Sequence, residues 1–157
     1  MISKTKVLEL IDERFAELDN GLFLVELTIS KENAIKIEID KHEGGVSVKD
    51  CMAVSRNVEH NLDREEQDFE LHVSSAGIDR PLRVLAQYVK NIGRTVEALM
   101  NDGSVKEGIL KGATDNEIEI ETSRVQKIEG TKKKETIVEQ FVLPLNTIKE
   151  TKIVITF

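Results

Sequence analysis

Tryptophan is absent from this chain, tyrosine occurs once and phenylalanine five times. With so few aromatics the core must be built from Ile, Val and Leu, which favours strands over a helical bundle. The single cysteine, Cys51, excludes an intrachain disulfide and any cysteine framework for zinc. No apolar run approaches the roughly 20 residues of a membrane span. The opening MISKTKVLEL lacks the apolar stretch of a signal peptide. Glycine-rich phosphate loops, G-x-x-x-x-G-K-[ST] or G-x-G-x-x-G after a strand, are missing too. These absences lead to the expectation of a soluble, cytoplasmic protein with no cofactor and no membrane partner. At 157 residues the chain has room for one domain or two small ones.

Charge is present and unevenly spread. The net charge is -7; residues 1–83 carry 11 Lys/Arg against 18 Asp/Glu, whereas residues 84–157 carry 11 of each. A protein that binds bare nucleic acid through charge alone usually shows a basic face, and composition shows none. An acidic half suits a basic protein partner instead. It also serves solubility, and charge alone does not separate the two readings.

The periodicity predicts a helix over Ser3–Leu18, with Val7, Leu8, Ile11, Phe15 and Leu18 on one face. Gly21 in Asp19-Asn20-Gly21 is expected to end it. LFLVELTI follows as a strand with Phe23, Val25, Leu27 and Ile29 on one face. IKIEID alternates strictly, so Ile35, Ile37 and Ile39 point inward, and one face of the sheet should be covered by helices. Ser47 and Asp50 have capping-box spacing at the start of a second helix. Its expected apolar face is Val48, Cys51, Met52, Val58 and Leu62, joined by Ser55, which makes Cys51 a structural thiol. DFELHV is a third strand.

After Pro81 a brief helical stretch ends at Gly93, and strands and turns follow. TVEALM and SVKEGILKGAT flank the hairpin signal Asn101-Asp102-Gly103. EIEIET, TIVEQFVLPL and TKIVITF are the remaining strands, and Gly108 and Gly112 mark bends. Residues 123–135, SRVQKIEGTKKKE, read as a long polar loop whose Lys132, Lys133 and Lys134 are candidates for RNA contact. The fold class expected is α+β: a helix-strand-strand-helix-strand domain over residues 1–83, then an all-β small barrel over residues 84–157, closed or nearly so.

Catalysis and metal binding find little support. His72, Ser74, Ser75 and Asp79 supply the residue types of a hydrolytic triad, but the text is not G-x-S-x-G and His72 alternates away from Leu71 and Val73. His42, His60 and His72 lie on different elements without ligand spacing. No enzymatic activity and no metal are expected.

One stretch remains, ELHVSSAGIDRPLR, where a strand runs into a glycine and an Asp-Arg-Pro triplet. Gly77 is able to take φ > 0 where the strand turns. Pro81 fixes its own φ and pushes Arg80 to an extended conformation. The segment is a stiff exit from the first domain from which Asp79 and Arg80 point as adjacent opposite charges.

Here the sequence resembles the RimP family of bacterial ribosome maturation factors, whose signature reads S-S-P-G-L-D-R-P-L. Ser74, Ser75, Gly77, Asp79, Arg80, Pro81 and Leu82 match it in place, Ile78 stands for Leu, and Ala76 for Pro. GGVSVKDCMAVSRNVEHNLD is similar to the family's second helix, and VLPLNTIKETKIVITF to its closing strands. The resemblance implies that the barrel is Sm-like and that the role is non-enzymatic. It implies binding of the immature small (30S) ribosomal subunit and help in incorporating small-subunit ribosomal protein twelve. The alternative reading is a direct RNA-binding module that meets small-subunit ribosomal RNA through the barrel and the lysine-rich loop. The protein is expected to act as a monomer. Ser74, Ser75, Gly77, Asp79 and Arg80 are then the candidates for partner binding or for fixing the domain junction.

Overall fold

Ile35, Ile37 and Ile39 lie at the centre of the first half, each almost wholly removed from solvent. Each such side chain contributes about 1.5–3 kcal/mol of burial. In the computed structural model, which describes residues 1–155, they belong to β2 (Ala34–Lys41). The chain forms two compact units, Met1–Gly77 and Ile78 onward.

The first unit runs α1 (Lys4–Leu18), β1 (Leu22–Ile29), β2, α2 (Val48–His60) and β3 (Glu70–Ser75). β1 is antiparallel and β3 parallel to β2, with α2 as the crossover. The core joins Val7, Leu10 and Ile11 of α1, the three isoleucines, and Val54 and Val58 of α2. Both helices thus cover one face of the sheet. Ser3 caps α1, its hydroxyl accepting from the Lys6 N–H. The cap at the other end is Asp19, in the left-handed region at φ 43, rather than Gly21.

Two details differ from the pattern in the sequence. The pairing of β1 jumps from Leu24–Ile39 to Glu26–Glu38, so Val25 is the extra residue of a bulge. Leu22 and Leu24 therefore share the core face with Leu27 and Ile29, while Phe23 packs its ring against His42 at 4.8 Å. In α2 the buried residues are Asp50, Val54, Asn57 and Val58, with Cys51 half-buried; Val48 and Met52 are 76% and 44% exposed. Val48 opens the helix just past the cap, where no neighbouring layer covers it.

The second unit contains α3 (Leu85–Lys90), β4 (Thr95–Met100), β5 (Val105–Ala113), β6 (Glu117–Lys127), β7 (Lys134–Pro144), a 3₁₀ turn (Leu145–Thr147) and β8 (Ile148–Ile153). Gln87 caps α3, its Oε1 accepting from the Arg83 and Val84 N–H groups at 2.7 and 3.3 Å. The fold class is α+β, as expected. The sheet is antiparallel in the order β7-β6-β5-β4-β8, around Val96, Ala98, Leu110, Ile118 and Ile120. The expected barrel is not closed: no ladder joins β7 to β8 among the described residues, because β8 pairs with β4 and β7 with β6. Thr156 and Phe157, included in the last strand read from the sequence, lie outside the described residues.

Of the two glycines of β5, Gly108 has a steric reason and Gly112 marks an irregularity of register. A Cβ on Gly108 would sit 2.6 Å from the Glu121 carbonyl oxygen, so the two backbones meet there. At Gly112 the register slips past Lys111, which is the extra residue of a second bulge.

Candidate functional site

Ser74 and Ser75 end β3 opposite Glu38 and Ile39 of β2. One ladder bond continues past the strand: the Ala76 N–H donates to the Ile39 carbonyl at 2.9 Å, and Ala76 is buried. The small side chain seats this part of the signature firmly in the first unit. Both serines and Gly77 are exposed. Among the described residues the positive-φ glycines are Gly21, Gly44, Gly93, Gly103 and Gly130, so the expected φ > 0 at Gly77 is not found. The backbone turns one residue later, at Ile78 and Asp79.

In the second unit Ile78, Asp79 and Arg80 are exposed, while Leu82 is buried in the core and donates its N–H to the Thr151 carbonyl at 2.8 Å. The segment is therefore anchored at Ala76 and again at Leu82, with the charged pair Asp79-Arg80 between the anchors. His72 is exposed on β3, and no cluster of three or more His, Cys, Asp or Glu among the described residues is placed to hold a metal.

The first unit holds 9 Lys/Arg and 17 Asp/Glu. Glu9, Asp12 and Glu13 lie exposed along α1, and Asp63, Glu65 and Glu66 in the turn after α2. Glu38 and Asp40, which the alternation of IKIEID turns away from the three isoleucines, are half-buried rather than exposed. One acid has gone inside. Asp50 is 6% exposed; its carboxylate accepts from the Ser47 N–H at 2.9 Å, closing the capping box, from Asn20 Nδ2 at 2.9 Å, and pairs with Lys41 Nζ at 3.2 Å. The Ser47 amide holds its pKa below the ordinary carboxylate value, against the opposing effect of burial. Burial, helped by the Asp50 charge, pushes the Cys51 thiol up, which suits a structural thiol. The roles of Asn20 and Lys41 were hidden in the sequence, since both partners lie far from Asp50 along the chain.

Residues 123–135 are not one long loop: 123–127 and 134–135 are strand, and only 128–133 form the turn between them. Strands β6 and β7 pair without a break from Glu117–Pro144 to Lys127–Lys134. β5 reaches only Glu121, so from Thr122 outward the hairpin is a two-stranded ribbon with no third strand. Its end is tied by the Ile128 N–H to the Lys133 carbonyl at 3.0 Å and the Thr131 N–H to the Ile128 carbonyl at 3.1 Å, with Gly130 at φ 77. The sequence concealed this ribbon because neither of its faces is apolar throughout, so it has no alternation of the kind a half-buried strand shows. Lys132 and Lys133 sit in the turn, and Lys134 faces Lys127 across the strands.

Comparison with known proteins settles the family. The model of the RimP N-terminal domain matches residues 10–79. A ribosome maturation factor RimP from Christiangramia forsetii is 44% identical, over 98% of this chain and 99% of its own length. The chain belongs to the RimP family of ribosome maturation factors. The Flavobacterium psychrophilum member is 40% identical over the whole of both chains, and that of Porphyromonas gingivalis 30% over 96% and 97%. Membership implies a role in ribosome maturation and a ribosome-related partner. The N-terminal family model takes in Ser74 to Asp79, but stops short of Arg80.

Proposed function

We propose that this chain acts as a non-enzymatic assembly factor that binds the immature small (30S) ribosomal subunit and promotes incorporation of small-subunit ribosomal protein twelve. The observation that carries this reading is the division of charge between the two units. The first holds 17 acids against 9 bases, with Glu9, Asp12 and Glu13 exposed on one helix, and so offers a field that attracts a basic ribosomal protein. In this reading residues 1–83 and 84–157 act as the two functional domains. Ser74, Ser75, Gly77, Asp79 and Arg80 present the signature to the particle between the anchors at Ala76 and Leu82.

A second reading has its own support. The second unit holds 13 Lys/Arg against 12 Asp/Glu, and its ribbon gathers Lys132, Lys133 and Lys134 at one end, where ribosomal RNA is a natural counterpart. Sedimentation of cell extract through a gradient tests the first reading: the protein should travel with free small subunits and be absent from complete ribosomes. Recovery only in the soluble top fractions of growing cells would overturn it. Pulldown with and without nuclease separates the two, since protein docking survives digestion of the RNA and RNA docking does not.

A further inference from the structure

We propose that the free end of the β6–β7 ribbon docks on the phosphate backbone of double-helical RNA, through Lys127, Lys132, Lys133 and Lys134. This deepens the RNA reading above and rests on it.

The first observation is the placement of unpaired charge. Some cations of this acidic chain are matched, as Arg14 with Glu17, Lys41 with Asp50, Arg64 with Glu59 and Asp68, and Arg124 with Glu139; others stand singly, and what sets the ribbon end apart is that four of them gather there. The four lysines at the ribbon end have no ion-pair partner among the described residues, although Glu129 and Glu135 are close in sequence. Strand alternation explains part of this. Lys127, Lys134 and Thr136 lie on one face with Val125 and Val138, while Glu135, Arg124 and Ile137 lie on the other.

The second observation is that Lys127 and Lys134 are direct cross-strand partners. Like charges opposed in this way destabilise a hairpin. An anion bound between them reverses that effect, and a chain of phosphates supplies such anions at regular spacing.

The third concerns what kind of nucleic acid fits. Sites for single strands carry aromatic platforms on which bases stack. No aromatic residue occurs between Thr122 and Gln140, and Phe141, at the base of the ribbon, already lies under Lys106 Nζ at 4.9 Å. Arg124, a residue type suited to reading base edges, is engaged by Glu139 at 3.3 Å. What remains is a set of point charges on a two-stranded ribbon, with Val125 and Val138 exposed beside them. Such a face matches the wide, shallow minor groove of an A-form helix, where recognition runs through shape, sugar and phosphate. The hairpin is already paired along its length, so little backbone ordering opposes binding.

The test is fluorescence anisotropy with an RNA stem of about 16 base pairs, an unstructured single strand of equal length, and the matching B-form DNA duplex. Wild-type chain is compared with the variant Lys127→Gln, Lys132→Gln, Lys133→Gln, Lys134→Gln. The wild type should prefer the RNA stem to both other probes. The variant should bind it at least about tenfold more weakly at low salt, with a log–log salt slope shallower by about three. An unchanged denaturation midpoint shows that the variant is folded. Equal binding of variant and wild type overturns the site, and equal binding of the single strand or of DNA overturns the assignment to double-helical RNA. Binding to a polyglutamate peptide as tight as to the stem would point to an acidic protein instead. A chain that sediments with small subunits but ignores the stem overturns this inference alone. One that binds the stem through its lysines but never sediments with subunits leaves this inference standing and removes the function proposed above.

Discussion

Asn20 donates a hydrogen bond of 2.9 Å to the carboxylate of Asp50, thirty residues further on, and so ties the loop after α1 to the first turn of α2. The same carboxylate closes the Ser47 capping box and pairs with Lys41. Its pKa is held below the ordinary value, chiefly by the Ser47 amide. Because the folded-state pKa is depressed, this stabilisation is fully present above the unfolded value of about 3.9 and is lost as pH falls through the folded one. Asp50→Asn should therefore flatten the acid limb of the stability–pH curve below about pH 4. Asp50→Ala should cost about 1–3 kcal/mol at neutral pH, because it leaves the Ser47 N–H, Asn20 and Lys41 without their acceptor. Chemical denaturation across pH checks both, and an acid limb identical in Asp50→Asn would remove the carboxylate from the account.

Gly108 and Gly112 make a sharper comparison, since they are four residues apart in one strand. A methyl group on Gly108 meets the Glu121 carbonyl at 2.6 Å, a backbone atom that moves only if the sheet moves. Gly108→Ala should cost about 1–3 kcal/mol. The nearest atom to a Cβ on Gly112 is Glu119 Oε2, at 3.9 Å, so Gly112→Ala should stay within about 0.5 kcal/mol. Urea midpoints of equal size for the two variants would show that backbone approach is not the reason for Gly108.

The contrast also shows how far the sequence could be read. Ile35, Ile37 and Ile39 declared their strand because one of its faces is buried, and Ser47 and Asp50 declared a helix start through local spacing. The bulge at Val25 shifted the face of β1 and left no local mark. The β6–β7 ribbon was invisible for a different reason: both its faces meet solvent from Ser123 to Lys127, and it is held by ladder hydrogen bonds rather than by a core. At the candidate site the signature residues stood out in the sequence, but the two anchors, Ala76 and Leu82, emerged only from burial and from the Ile39 and Thr151 carbonyls.

Electrostatic docking of the first unit predicts a rate effect. Glu9, Asp12 and Glu13 are exposed on α1 and lie outside its core contacts. Replacing all three by the neutral amides should slow association with a basic ribosomal protein by roughly threefold at low salt, with little change in dissociation. The difference should vanish once the Debye length falls to about 3 Å, near 1 M salt. Stopped-flow association rates that ignore both salt and the substitutions would leave the acidic unit without this role.

Arg80 tests the signature most directly. It is exposed, follows the turn at Ile78 and Asp79, and precedes the point where Leu82 enters the second core. An ion pair at such an exposed position is worth about 0–1 kcal/mol, so Arg80→Ala should leave the denaturation midpoint almost unchanged. Leu82→Ala, by contrast, removes a buried side chain and should cost about 2–5 kcal/mol. If Arg80 serves the particle, Arg80→Ala should weaken co-sedimentation with small subunits at undiminished stability, and Arg80→Lys should restore part of it as a charge without the planar fork. Loss of stability in Arg80→Ala comparable to that of Leu82→Ala would make the residue a structural element of the segment. Normal stability together with normal co-sedimentation would take Arg80 out of the binding surface and leave Asp79 and the serines to carry it.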